Sequence, residues 1–406
     1  MTSNGTEPKI IFDDWRTVSF AVFMALVGYS VMVTVPVLST ALVKSLSFTE
    51  EQVGRVWGND MLGLSIGAII CAFTVAKIDR RNLVTAGIIL TVAANAMCMY
   101  LTDYSSVFWL RLMAGIGSGI FTGTAVATLG GATNTVRAFN LLLLGFAFST
   151  ALEIQLFSRF TLNSIYWFLI GSAVVCGLFL RWLPRRPLNA EEQALQHSIE
   201  DKSEDWRVPK LLPALCLVAV CFTYINIGGY YTYVELAALA DGVAQSFITP
   251  VFTWSSVLAL VGVILAWWCT RFGMFPPLLI ALLILGVSVA MLALGVGNAR
   301  LAFSVFVFYT AWTFIDVYQS SIMGYMDRSG ALVALLPSVQ GFGQFVGPNI
   351  AASIIGAGLG YGVMFVVSGS MALVAMVIYV GIFYYMHHRK QNAVGADPDE
   401  PAPSKI

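Results

Sequence analysis

Twelve apolar stretches, each long enough to cross a bilayer as a helix, recur along the chain. They fall at approximately 17–43, 53–76, 82–101, 106–130, 138–158, 163–183, 211–236, 247–269, 274–295, 301–326, 331–356 and 361–386. A hydrocarbon core of about 30 Å takes roughly 20 apolar residues of helix, and tilt absorbs any excess. A membrane barrel would instead show alternating segments of about ten residues, and none occur. Composition agrees: 58% of the 406 residues are hydrophobic, 11% are charged, and the mean hydropathy is +0.80. A water-soluble exterior would need about a quarter of the residues charged. The expected fold class is therefore an all-α membrane protein of twelve transmembrane helices, and a soluble enzyme is excluded. With 22 basic and 22 acidic side chains, there is no net charge to favour nucleic acid.

Most connections between stretches are short. The exception, 184–210, carries Glu191, Glu192, Glu200, Asp201, Glu204 and Asp205, and divides the chain into two six-helix halves. The expected organisation is an N-terminal tail (1–16), a first half (17–183), a linker (184–210), a second half (211–386) and a disordered, Pro-containing tail (387–406). No cleavable signal is expected before the first stretch, which follows Asp13, Asp14 and Arg16. Placing both termini in the cytoplasm puts 17 Lys and Arg on that side against 4 outside, with Arg111 inside a span. Positively charged loops stay inside, so a cell (inner or plasma) membrane protein with cytoplasmic termini is expected. All six cysteines lie in apolar stretches and all three histidines outside them. No disulfide, metal site, haem or other cofactor is expected.

The loop after the second stretch reads AFTVAKIDRRNLV and the loop after the eighth reads AWWCTRFGMFPPL. Both are basic, cytoplasmic and at equivalent places in the two halves, the trace of an internal repeat with a site near the midplane. In these features the chain resembles the major facilitator superfamily, whose loop between spans 2 and 3 carries a G-x-x-x-D-R-x-G-R-R type motif. Lys77, Arg80 and Arg81 match its basic positions, whereas Ala72, Ala76 and Asp79 replace Gly, Asp and Gly. Asp79 stands close enough to supply the displaced charge of a cytoplasmic gate. The second copy keeps Arg271, Phe272 and Gly273. RLMAGIGSG in the fourth span matches the family's R-x-x-x-G-x-G-x-G through Arg111, Gly115, Gly117 and Gly119. The G-P antiporter signature is missing from LLLLGFAFSTALEIQLF, while Asn226, Tyr230 and Tyr231 match the N-x-x-x-Y-Y of sugar porters. The resemblance implies a monomeric secondary transporter, not an enzyme, with spans 1, 4, 7 and 10 lining a central cavity and alternating access to it.

An ionisable group inside a span costs a few kcal/mol and is a functional candidate by default. Asp60 and Arg111 enter spans 2 and 4 from the same side to equal depth, so they can compensate each other's desolvation. Alternatively Asp60 carries a proton, or Arg111 clamps a substrate carboxylate with its planar fork. Asp316 lies near the middle of the tenth span, among Tyr309, Trp312, Tyr318 and Gln319. Glu153 lies near Arg159, with which it can pair. Glu235 follows Gly228 and Gly229, which favour a kink and an outer gate. The proton-coupling candidates are thus Asp60, Asp316, Glu235 and Glu153. Arg111, Tyr29, Tyr224, Asn226, Tyr230, Tyr231, Trp312, Tyr318 and Gln319 are the candidate substrate contacts, with rings suited to a ring-shaped solute. The runs GIGSG and GFGQFVGP permit close helix contact.

The function expected is proton-coupled transport of a small organic solute, first an aromatic anion because Arg111 is the one buried cation. Proton-driven efflux of hydrophobic compounds is the alternative. A lipid-modifying enzyme lacks a clustered nucleophile or His, a receptor lacks a signalling domain, and no G-x-x-x-x-G-K-[ST] sequence marks a primary pump.

Overall fold

The computed structural model describes residues 14–75, 77–130, 132, 135–184, 209, 211–326, 332 and 335–394. Among these are twelve long helices: α1 (Trp15–Leu46), α2 (Glu50–Thr74), α3 (Arg80–Cys98), α4 (Tyr104–Gly130), α5 (Thr135–Phe157), α6 (Leu162–Leu178), α7 (Leu211–Ala240), α8 (Gln245–Cys269), α9 (Phe275–Ala290), α10 (Asn298–Met326), α11 (Leu336–Gly356) and α12 (Gly360–Val394). Ten are long and apolar enough to cross a membrane. α6 has 17 residues and is extended by a tight turn at Leu180–Trp182. α11 carries Gln340, Gln344 and Asn349 among its glycines, which lowers its hydropathy. α12 continues to Val394, past the expected span end at 386. The linker lies outside the described residues, as do Ala76 of the gate motif and the end of the tail.

Helix ends follow local chemistry. Asp14, Asp79 and Thr161 accept backbone N–H bonds from Arg16, Arg81 and Ser164, giving α1, α3 and α6 their N-caps. Asp103 accepts from the Ser106 N–H at 2.9 Å ahead of α4, and this bond holds its carboxyl below the usual range. Ser47 ends α1 in the left-handed conformation at φ 54°. Trp15, Trp109 and Trp167 are exposed, as interfacial anchors require, whereas Trp182 is half-buried against Trp15 and Phe179.

The chain divides into two compact units, Met1–Phe48 with Asn59–Leu195, and Thr49–Gly58 with Gln196–Ile406. The division differs from the expected halves at one place, because the first turns of α2 group with the second unit. There the Tyr233 hydroxyl donates to the Glu50 carbonyl at 2.8 Å.

Each unit is built on a glycine seam. In the first, α2 presents Gly63 and Gly67 to α4, which returns Gly115 and Gly119. A Cβ at Gly63, Gly67, Gly115 or Gly119 would come within 2.2 Å of the carbonyl oxygen of Leu112, Ile116, Asp60 or Leu64 respectively. In the second, Gly343 and Gly347 of α11 lie against α7, where a Cβ would meet the Cys221 carbonyl at 2.7 Å and the Ile225 carbonyl at 2.3 Å. Gly228 and Gly229 answer from α7, which runs unbroken through them and receives Gln344 and Pro348. The pair expected to favour a kink lies in close contact with α11 and α12. Lipid leaves no hydrophobic force between helices, so such contacts supply the association.

Gly67→Ala should lower the thermal midpoint of the purified protein through overpacking of about 1–3 kcal/mol. Gly171→Ala in α6, where a Cβ meets open space, should leave the midpoint unchanged or raise it slightly. Equal effects of the two would remove the seam argument.

Candidate functional site

The expected charge pair exists and is internal to the first unit. Arg111 donates through Nε to Asp60 Oδ2 at 2.6 Å and through Nη2 to the same oxygen. Its Nη1 donates to Asn95 Oδ1 at 2.8 Å, and Asn95 is itself oriented by donating to the Thr91 carbonyl at 2.8 Å. Arg111 is 1% exposed and Asp60 2%. The α2–α4 seam brings the pair together, since Gly115 follows Arg111 by four residues and packs on the Asp60 carbonyl. Asn95 is a partner that sequence reasoning missed; its signal is a lone amide in an apolar stretch.

Glu153 does not turn to Arg159. It is 6% exposed and accepts from the Ser30 hydroxyl at 2.6 Å. Ser30 and Tyr29 are on α1; Tyr29 is half-buried and tilts against Phe146 of α5, ring centroids 5.3 Å apart. In the second unit Glu235, 1% exposed, accepts from Gln245 Nε2 at 3.1 Å. It is not a surface carboxylate.

Asp316 differs from the other three. It is half-buried on α10, and its partner is Tyr224 of α7, whose hydroxyl lies 2.7 and 2.9 Å from the two carboxyl oxygens. Trp312 Nε1 in turn donates to the Tyr224 hydroxyl at 3.4 Å. No basic side chain pairs with Asp316 among the described residues. Two tight helix contacts aim the group. Gly343 of α11 would place a Cβ 2.6 Å from Tyr224 Cβ, and Gly262 of α8 would place one 2.2 Å from the Thr310 carbonyl of α10. Thr313 Oγ1 adds a bond to the Ala259 carbonyl at 2.7 Å.

Rings gather around Trp312, one helical turn before Asp316 on α10. Trp312 is half-buried, with Phe308 at 5.7 Å, Tyr231 at 5.9 Å, Tyr309 at 6.3 Å and Tyr224 at 6.4 Å between centroids. Tyr231 stacks on Phe308 with 10° between planes, and its hydroxyl shares a 2.5 Å hydrogen bond with that of Tyr309. Phe308 was not among the expected contacts.

The remaining candidates are engaged elsewhere in the second unit. Asn226 donates to the Ser368 carbonyl at 2.7 Å, and Tyr230 bonds Ser304 at 3.0 Å. Gln319 donates to Thr223 at 2.8 Å, and Tyr318 stacks on Phe314 at 4.8 Å. None of the three neighbours expected beside Asp316 apart from Trp312 bonds to it. A groove of about 710 Å³ is lined by side chains such as Leu258, Leu265, Ile280 and Phe306, none of them a candidate residue.

At the expected gate, Arg81 donates to the Leu183 carbonyl at 2.7 Å and the Arg181 carbonyl at 2.5 Å. Arg80 donates to Thr128 at 3.2 Å, Lys77 is exposed, and Asp79 is used as the α3 cap. Arg271 lies 3.7 Å from the Trp268 ring centroid.

The family model for the Major Facilitator Superfamily matches residues 18–348. The chain belongs to this superfamily. It is a multi-pass membrane transporter and not an enzyme. Comparison with curated proteins gives no match. Among solved structures, the major facilitator fold is shared with the nucleoside transporter NupG at 13% identity, covering 91% of this chain and 98% of that one, TM-score 0.66. A D-xylose-proton symporter matches at 16% identity, 90% and 97% coverage and TM-score 0.70. The human organic anion transporter MFSD10 (TETRAN) matches at 14%, 90% and 99%, and 0.61. At these identities the likeness is one of fold.

Asp60→Asn should cost about 3–5 kcal/mol, because it strands a buried guanidinium. Replacing both members, Asp60→Leu with Arg111→Met, should restore most of the lost thermal midpoint. A double variant no more stable than the single would show that the pair does more than neutralise itself.

Proposed function

We propose that this superfamily member is a proton-coupled carrier of a small organic solute, with Asp316 as the group that takes up and releases the proton. The observation that carries the reading is a half-buried carboxyl in mid-helix with no basic partner among the described residues. A permanently ion-paired acid such as Asp60 has its charge fixed by its neighbour. Asp316 has only hydroxyl and indole donors, so protonation removes an uncompensated charge from the membrane interior. Tyr224 orients the carboxyl in either state, since a phenol both donates and accepts.

The rings beside Asp316 suit a solute with a flat or ring-shaped face. Arg111, the expected anion contact, donates to Asp60 and Asn95, so an anion there would compete with these bonds. The charge asymmetry of the loops supports cytoplasmic termini in a cell membrane. Alternating access lets the membrane potential, worth about 2.3 kcal/mol per charge per 100 mV, and any pH gradient drive accumulation.

Vesicles containing the purified protein should accumulate solute when a pH gradient is imposed. Asp316→Asn should lose this accumulation by tenfold or more while retaining solute exchange without a gradient. Full proton-driven accumulation in that variant would remove Asp316 from the coupling.

A further inference from the structure

We infer that the second unit's site selects an organic ammonium, a protonated amine carried on an aromatic or similarly flat body. The inference rests on the proposed role of Asp316 as the group that takes up and releases the proton, and adds the charge of its cargo.

The argument starts from donors and acceptors. An ionised carboxylate is acceptor-only, with about four lone-pair positions. Around Asp316 the donors form one chain, in which Trp312 Nε1 donates to Tyr224 and Tyr224 donates its single proton to the carboxyl. That chain leaves most acceptor positions unfilled. Asp316 as a residue is half-buried rather than sealed.

The same surroundings offer little to an anion. One proton of the Tyr231 and Tyr309 hydroxyls lies in the bond between them, and the Trp312 N–H is directed at Tyr224. The cations among the described side chains of this unit are occupied elsewhere. Arg55 pairs with Glu51 at 2.7 Å, Arg271 lies over Trp268 and Phe272, and Arg300 donates to the Leu294 and Gly295 carbonyls. What the site presents is a negative charge beside ring faces and edges. Aromatic faces carry negative quadrupole density and attract an ammonium, and Trp does so best. An ammonium also brings up to three N–H donors to the empty acceptor positions. A neutral hydroxylated ring would fill those positions without cancelling the charge, and a carboxylate would add a second one.

Three ligands with one ring and different charge test this: 2-phenylethylammonium, 2-phenylethanol and phenylacetate. Binding to the full chain in lipid nanodiscs, without any gradient, is followed by calorimetry and by tryptophan fluorescence. The ammonium should bind at least tenfold more tightly than the alcohol and phenylacetate. Asp316→Asn should erase the preference, and Trp312→Phe should reduce the fluorescence change. Preference for phenylacetate, equal binding of the alcohol, or no ammonium binding would overturn the inference, as would a folded Asp316→Asn protein that keeps the ammonium preference. If that variant does not fold, the ranking of the three ligands on the unaltered chain decides the matter alone. Because no proton gradient enters the measurement, failure here leaves proton coupling standing, and failure of proton-driven accumulation leaves the charge preference standing.

Discussion

Hydrocarbon does not pull apolar helices together, since lipid tails are as apolar as leucine. Every other feature of this chain depends on how its helices meet that constraint. The solution is close backbone contact through glycines, repeated in each unit. On α2 and α4 the four-residue spacings Gly63 to Gly67 and Gly115 to Gly119 interlock. On α7 and α11 the pairing of Gly228 and Gly229 with Gly343 and Gly347 does the same. These seams also deliver the polar groups. Arg111 meets Asp60 because α4 can press onto α2, and Tyr224 reaches Asp316 from a helix held by Gly343. Packing and chemistry therefore share residues, and a change to a seam displaces a side chain several residues away.

The two units use their buried acids differently. In the first, the carboxylate of Asp60 is met by the Arg111 guanidinium, whose other side donates to Asn95, so the two buried charges offset each other. A pair of this kind holds α2, α3 and α4 in register. In the second, Asp316 is reachable and answered only by a phenol backed by an indole. A group left half-compensated in a low dielectric changes state readily when a proton or a charged ligand arrives. On the proposed reading, the first unit holds a fixed charge and the second the responsive one.

Much of the fold was legible in the sequence because it depends on length and hydropathy, which are local. The twelve helices follow from them. The Asp60–Arg111 pair was legible too, since equal depth on neighbouring spans needs no knowledge of rotation. The partners of Asp316 were less so. The expected neighbours Tyr309, Tyr318 and Gln319 were drawn from its own helix, whereas the group that bonds to it is Tyr224, 92 positions away. Glu153 shows the same limit: Arg159 is close in sequence, but Ser30 is close in space. Helix rotation decides which side chains face one another, and rotation is set by seams that join distant segments. The grouping of Thr49–Gly58 with the second unit likewise has no local signal.

The match of Asn226, Tyr230 and Tyr231 to a sugar-porter pattern shows why a motif needs its partners. All three side chains are buried and each has a bond within the second unit. Asn226 ties α7 to α12, Tyr230 ties it to α10 through Ser304, and Tyr231 closes on Tyr309. Ser304 passes the connection on to the Ser288 carbonyl of α9 at 2.7 Å. These residues join four helices, a task that any solute would inherit. A ligand engaging these groups would have to break a bond in a low dielectric, and the Asn226 Oδ1, which has no hydrogen-bond partner among the described residues, is shut off from solvent. Binding capacity resides where bonds are incomplete and solvent can reach. By that criterion α7 contributes Tyr224 as a positioning residue, and the open acceptor positions belong to Asp316.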